Sequence, residues 1–310
     1  MSEEQLPSID DSSGSVKAGP KYSPIPFVIV ALVLVFILYQ GLGGAATYLL
    51  FGGQITPETV AGIRWATMLS QLLFLLVPTL VMLKVQHGSA LGAIPLRIPK
   101  AAEFLLVVLC VVSLQQALEG YLYLQDMIPL PAGVQHVVEM MKRMIEETIR
   151  LLGESHSPQE LLFVVTVVAV TPALCEELFF RGLIQNNLML ASNTRTGIIA
   201  TGLIFGLYHL NPFLLVPLAV LGIFFSYVRV RSNTLILPIV AHFVNNAVSA
   251  AGFFWQQERT SSSFLLEGAA DNVPLQYVIG VTAVSAVVFA ICLVSYRIVT
   301  QQLSTVSIDD

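Results

Sequence analysis

The chain has 310 residues, of which 55% are hydrophobic and 11% charged, with a formal net charge of −5. Soluble domains carry about 25% charged residues, so this composition excludes an ordinary soluble domain and implies a polytopic membrane protein. Nothing in the charge pattern suggests a nucleic-acid partner, and the three cysteines, Cys110, Cys175 and Cys292, all lie in apolar segments rather than in a disulfide framework.

Met1 to Ser23 is polar, mixed in charge and rich in Ser, Pro and Gly, which predicts a disordered tail over 1–23 and not a signal peptide. A first span is expected over about Pro26 to Leu50, with Gly41, Gly43 and Gly44 permitting close helix approach. Thr56-Pro57-Glu58 has the form of an N-cap, a proline at the first helical position and an early acid. It opens a second span to about Leu83, and a basic loop carrying Lys84, Arg97 and Lys100 leads to a third, about Ala101 to Leu118.

Glu119 to Ser157 does not read as membrane-spanning. Within it Val134, Val137, Val138, Met141, Met144, Ile145, Ile149 and Leu152 recur at helical spacing, opposite Glu139, Lys142, Arg143, Glu146, Glu147 and Arg150. That pattern predicts an amphipathic helix over 134–152 at the membrane surface, serving for docking or as a lid. Ser157-Pro158-Gln159-Glu160 is a capping box that starts a fourth span, ending near Ala191. Further spans are expected over about Gly197–Leu210, Phe213–Val228 (closed by Arg229, Arg231 and Ser232), Thr234–Phe254 and Pro274–Ser295.

The expectation is therefore an all-α, polytopic membrane helix bundle of about eight transmembrane helices with one amphipathic interfacial helix. It forms a single domain over 24–300, followed by a short tail over 301–310. An even number of spans puts both termini on one side, and the basic loops assign that side to the cytoplasm of a multi-pass cell-membrane protein.

Few ionisable groups fall inside the apolar runs, and such groups mark functional sites by default. Glu176 and Glu177 interrupt the fourth span, His209 closes the fifth, and His242 lies in the seventh with Asn246 four residues on. Glu177 and Arg181 share a helix face and can neutralise one another, whereas Glu176 is rotated away from that pair. Asn245 faces elsewhere and receives no role, and Cys175 reads as packing more readily than as a nucleophile. Glu176, His209, His242 and Asn246 suit hydrolysis: a buried carboxylate takes a proton from water, one histidine holds the water, and the other histidine with the amide donates to an oxyanion. Glu176, His209 and His242 could instead hold a zinc ion with an open position for water. There is no His-Glu-x-x-His, Gly-x-Ser-x-Gly or Gly-x-Gly-Asp pattern.

Three motifs in order, Glu176-Glu177 followed by Arg181, Phe205 to His209, and His242 to Asn246, resemble those of the CPBP (CAAX protease and bacteriocin-processing, Abi) family of intramembrane proteases. The resemblance covers about Pro158 to Gly252, so 158–252 is the expected catalytic core. It implies that Glu176 activates water, His209 positions it, His242 and Asn246 stabilise the oxyanion, and Glu177 and Arg181 support the site. It also implies a membrane-associated peptide or protein substrate, the lipid bilayer as surroundings, and either a glutamate-dependent or a metalloprotease mechanism. The alternative is a non-proteolytic transporter, immunity protein or scaffold that keeps the polar cluster.

Overall fold

The computed structural model describes residues 19–52, 55–90, 92, 94–258 and 274–306. Among these the chain forms nine helices: α1 Pro24–Phe51, α2 Val60–His87, α3 Ala101–Asp126, α4 Ala132–Gly153, α5 Pro158–Ala191, α6 Thr194–Tyr208, α7 Leu215–Ser232, α8 Ile236–Glu258 and α9 Leu275–Val306. The bundle is all-α, as the apolar periodicity requires. Six helices, α1, α2, α3, α5, α7 and α9, are long and apolar enough to cross a membrane. The other two expected spans are shorter: α6 has 15 residues, about 22 Å at 1.5 Å per residue, and the apolar part of α8 is Ile236–Gly252. A full crossing needs about 30 Å. The eight expected spans are thus six long helices and a shorter pair; His242 lies in α8 and His209 caps the end of α6.

Other boundaries also move. Thr56 does not cap α2; it closes a turn with Thr59, and the helix starts at Val60. Helix α3 runs on to Asp126, well into the stretch expected to lie outside the bundle. Ser157 caps α5 through the N–H of Glu160, but the Glu160 carboxylate accepts from His156 N–H rather than completing the box at Ser157. The expected tail is not free at its end, because Lys21 and Tyr22 hydrogen-bond Gln86 of α2; residues 1–18 lie outside the described region. The expected C-terminal tail is helical to Val306, and most of the polar loop before α9 lies outside the described residues.

Helix α4 matches its predicted face closely. Val134, Val137, Met140, Met141, Met144 and Ile149 are all exposed, and the protein covers little of this apolar stripe. Its C-terminal end is fastened by Arg64 of α2, which is 2% exposed. Arg64 donates to the carbonyls of Leu151, Leu152 and Glu154 and to the Glu160 carboxylate. The carbonyls of a last helical turn lack intrahelical partners and carry partial negative charge, so an arginine there meets both needs.

Two apolar clusters hold the bundle. One joins Val28, Ala31 and Val35 of α1, Leu75 and Leu83 of α2, and Cys175, Phe179, Phe180 and Leu183 of α5. The other joins Val107 and Cys110 of α3, Phe224, Phe225 and Val228 of α7, Ala241 of α8 and Tyr296 of α9. All three cysteines are free and buried in these clusters. Helices α6 and α7 pack at backbone contact: a Cβ on Gly222 would stand 2.9 Å from Gly202 Cα and O, and one on Gly206 would meet Ala219 N at 2.9 Å. Such close approach is what small residues permit between membrane helices.

Candidate active site

Helix α5 supplies the acids, and two of its irregular turns flank them. Its hydrogen-bond ladder loosens into π-type turns over Thr166–Val170 and Leu178–Ile184; such turns are rare and concentrate at functional sites. Pro172 contributes to the first, since it has no N–H to offer the carbonyl of Val168. That carbonyl is instead reached by Asn246 Nδ2 of α8 at 3.0 Å. One proline in α5 therefore provides the acceptor that orients a polar side chain of another helix.

Glu177 and Arg181 pair as their spacing predicts, at 2.7 Å with both side chains fully buried. Arg181 also donates to Gly222 O at 2.8 Å, which the close α6–α7 contact keeps in place. Its guanidinium stands 4.7 Å from the Phe205 ring centre and 5.3 Å from that of Phe225, so aromatic faces supply further stabilisation. Glu177 does more than neutralise Arg181. The same Oε1 lies 2.8 Å from His242 Nδ1, and because a carboxylate paired with arginine can only accept, Nδ1 carries the hydrogen. This fixes the tautomer of His242 and leaves Nε2 for other partners.

Glu176 has a different setting. Its side chain is 13% exposed, and Oε2 lies 3.8 Å from His209 Nε2, too far for a direct hydrogen bond. Oε2 is sealed and has no hydrogen-bond partner. His209 is held by its other nitrogen, 2.7 Å from Phe205 O; a carbonyl only accepts, so Nδ1 bears the hydrogen and neutral His209 presents a lone pair at Nε2. The chain turns away directly after it: Leu210 adopts φ 52, a left-handed conformation costing a non-glycine residue about 1–2 kcal/mol, and Asn211 Oδ1 then accepts from the N–H groups of Phe213 and Leu214 to start α7.

The sequence-predicted residues thus gather as two touching sub-sites. Glu176 faces His209; Glu177 joins Arg181 to His242, with Asn246 anchored to α5. Convergence needs α8 to begin below the surface. By helix rise His242 lies about 9 Å from the start of α8, and Glu177 about 21 Å from the end of α5. The link between α7 and α8 is accordingly recessed: Thr234 and Leu235 are fully buried, Leu235 N–H donates to Pro95 O, and Thr234 pairs with Leu96 in an isolated bridge.

Several residues escaped the sequence reading. Asn245, given no role there, donates from Nδ2 to Asn246 Oδ1 at 3.1 Å, so it sets which end of Asn246 is free to donate. Tyr39, on the irregular turn Phe36–Gly43 of α1, accepts from Gln71 at 3.3 Å and lies within electrostatic reach of Glu176, as does Tyr208. Arg64, an arginine within an apolar run, carried the same signal as Arg181 and was overlooked. Cys175 is packed in the core beside Phe179, the structural outcome.

The zinc alternative was tested against the donor set. Among the described residues no group of three or more His, Cys, Asp or Glu is arranged to hold a metal ion. The bond from His242 Nδ1 to Glu177 leaves Nε2 open, a contact of the kind that orients metal-ligating histidines, but Glu176, His209 and His242 are not gathered around one centre.

Residues 158–248 match the family model described as type II CAAX prenyl endopeptidase Rce1-like. The segment is similar to that family. The match agrees with the CPBP resemblance and includes both acids, both histidines and Asn246, while α1, α2 and α3 lie outside it. The family's description is that of an endopeptidase, and the likeness is confined to this segment. Curated proteins and solved structures return no match.

Proposed function

We propose that the protein is an intramembrane endopeptidase in which Glu176 is the general base for hydrolysis of a peptide bond in a membrane-associated peptide or protein. One observation carries this reading: an unpartnered Glu176 oxygen, 3.8 Å from a histidine nitrogen whose ring is already oriented from its far side. A water about 2.8 Å from both atoms would donate one hydrogen to each and keep a lone pair for attack. The water oxygen then bonds the carbonyl carbon, its proton passes to Glu176, and the carbonyl π electrons move onto oxygen. His242 Nε2 and the second hydrogen of Asn246 Nδ2 donate to that oxyanion. Collapse breaks the C–N bond, and the proton on Glu176 passes to the departing amine.

Since Nδ1 of His242 is bonded to Glu177, donation from Nε2 calls for a ring that carries hydrogen on both nitrogens. Glu177 and Arg181 act by positioning. The basic groups gathered near the ends of α7 and α9, Arg97, Arg231 and Arg297, support the orientation with both termini in the cytoplasm of a cell-membrane protein.

The test is cleavage of a membrane-peptide library by the purified protein, with Glu176→Gln, His209→Ala and a chelator as arms. Loss in both variants with activity kept in chelator is the expected result. Loss in chelator, restored by zinc, would overturn the metal-free mechanism. Intact cellular function in Glu176→Gln would favour the non-proteolytic alternative.

A further inference from the structure

Near the end of α7 a buried cation stands without a partner. Arg229 is 6% exposed, its Nε is sealed from solvent, and among the described residues no hydrogen bond or ion pair reaches its guanidinium. The sequence reading has this arginine close its span, and it lies in the last turn of α7. The other buried arginines are all engaged: Arg64 with Glu160 and three carbonyls, Arg181 with Glu177 and Gly222 O. The neighbouring Arg97 chelates Glu103, and Arg231 is held by Thr300 and Arg297 O.

A second unmet group adjoins it. Ser226 is fully buried and its Oγ also lacks a partner. Residues three apart on a helix are neighbours, but Ser226 is sealed on the side that faces α5, where Gln185 Nε2 donates to its carbonyl, so the guanidinium is the group open to a ligand. Burying such a cation unpaired is strongly unfavourable. The negative end of α7 offsets part of that cost but offers Arg229 no acceptor. The terminal nitrogens are not sealed as Nε is, so the site is reachable from outside. It sits at the rim of the bundle, three residues before the helix ends at Ser232 and close in sequence to Thr234, which pairs with the strap bearing exposed Leu96 and Ile98.

We propose that Arg229 forms a binding site for a phosphate oxyanion, supplied by the headgroup of an anionic membrane lipid. A guanidinium matches phosphate through paired N–H donors, and the rim of a membrane bundle is where headgroup phosphates lie. The site is independent of the protease assignment. It lies on the α7 face that also carries Gly222 and Ser226, whose carbonyls accept from Arg181 and Gln185 of α5.

The experiment measures melting temperature for the full chain in nanodiscs of phosphatidylcholine with or without phosphatidylglycerol. Wild type, Arg229→Lys, Arg229→Met and Ser226→Ala are compared. Phosphatidylglycerol should raise the wild-type value by several degrees; Arg229→Lys should keep part of that shift, Ser226→Ala all of it and Arg229→Met none. In phosphatidylcholine alone Arg229→Met should melt at or above wild type, because it removes an unpaired buried charge. A merely structural arginine would not give this crossover. An Arg229→Met protein that melts lower in both lipids with the phosphatidylglycerol shift intact overturns the proposal, as does a wild type that responds to neither probe. Inorganic phosphate, added at millimolar concentration in neutral detergent, separates the sources: protection by it equal to that of the lipid overturns the lipid assignment, and a response to the lipid alone supports it.

Discussion

Glu176 and Glu177 are adjacent in sequence, and their glutamine variants should behave oppositely. In Glu177→Gln, Arg181 stays fully buried with Gly222 O and aromatic faces as its remaining partners. Removing one member of a buried ion pair costs about 3–5 kcal/mol. His242 also exchanges a charge-assisted hydrogen bond for a neutral one of about half the strength. At roughly 2–4 °C per kcal/mol, the melting temperature should fall by roughly 10 °C. Among the described residues Glu176 has no such dependants: Oε2 lacks a hydrogen-bond partner and stands 3.8 Å from His209 Nε2. Glu176→Gln should therefore stay within about 0.5 kcal/mol of wild type and still lose at least about 100-fold in hydrolysis, the scale of a general base. The assay is available in the chain itself: Cys110, Cys175 and Cys292 are all buried and free, so a thiol-reactive fluorophore reports unfolding. Glutamine variants that melt together would refute the division of labour between the two acids.

Asn245→Ala removes the hydrogen bond that orients Asn246 and should cost about 1 kcal/mol in kcat, roughly fivefold, with KM and melting temperature little changed; an unchanged kcat would count against the orienting role. Gly222→Val places a methyl-bearing carbon 2.9 Å from the Gly202 backbone, so a melting-temperature loss corresponding to about 1–3 kcal/mol or more is expected, with Gly202→Val equally harmful. Arg64→Met frees the C-terminal carbonyls of α4 and should make that helix markedly more sensitive to limited proteolysis, whereas Arg143→Met, on its exposed side, should not.

Composition and periodicity alone determined that this is an all-α membrane bundle, where most helices lie, that α4 is amphipathic, and that the ionisable residues in apolar runs form the candidate site. The reason is physical: charge in hydrocarbon is so unfavourable that it stands out in one dimension, and the i,i+4 spacing of Glu177 and Arg181 is a property of one helix. Contacts between helices were decided only by the tertiary structure. Spacing along one helix pairs Glu177 with Arg181 but has no means to show that His242 shares it, since that contact depends on α8 starting in a recessed turn. Nor could it show that Pro172 leaves Val168 O for Asn246, or that Asn245 points at its neighbour. Arg64 and Arg229 make the same point. Both are arginines in or near apolar runs, and only packing determines that one is clamped by four acceptors while the other has none.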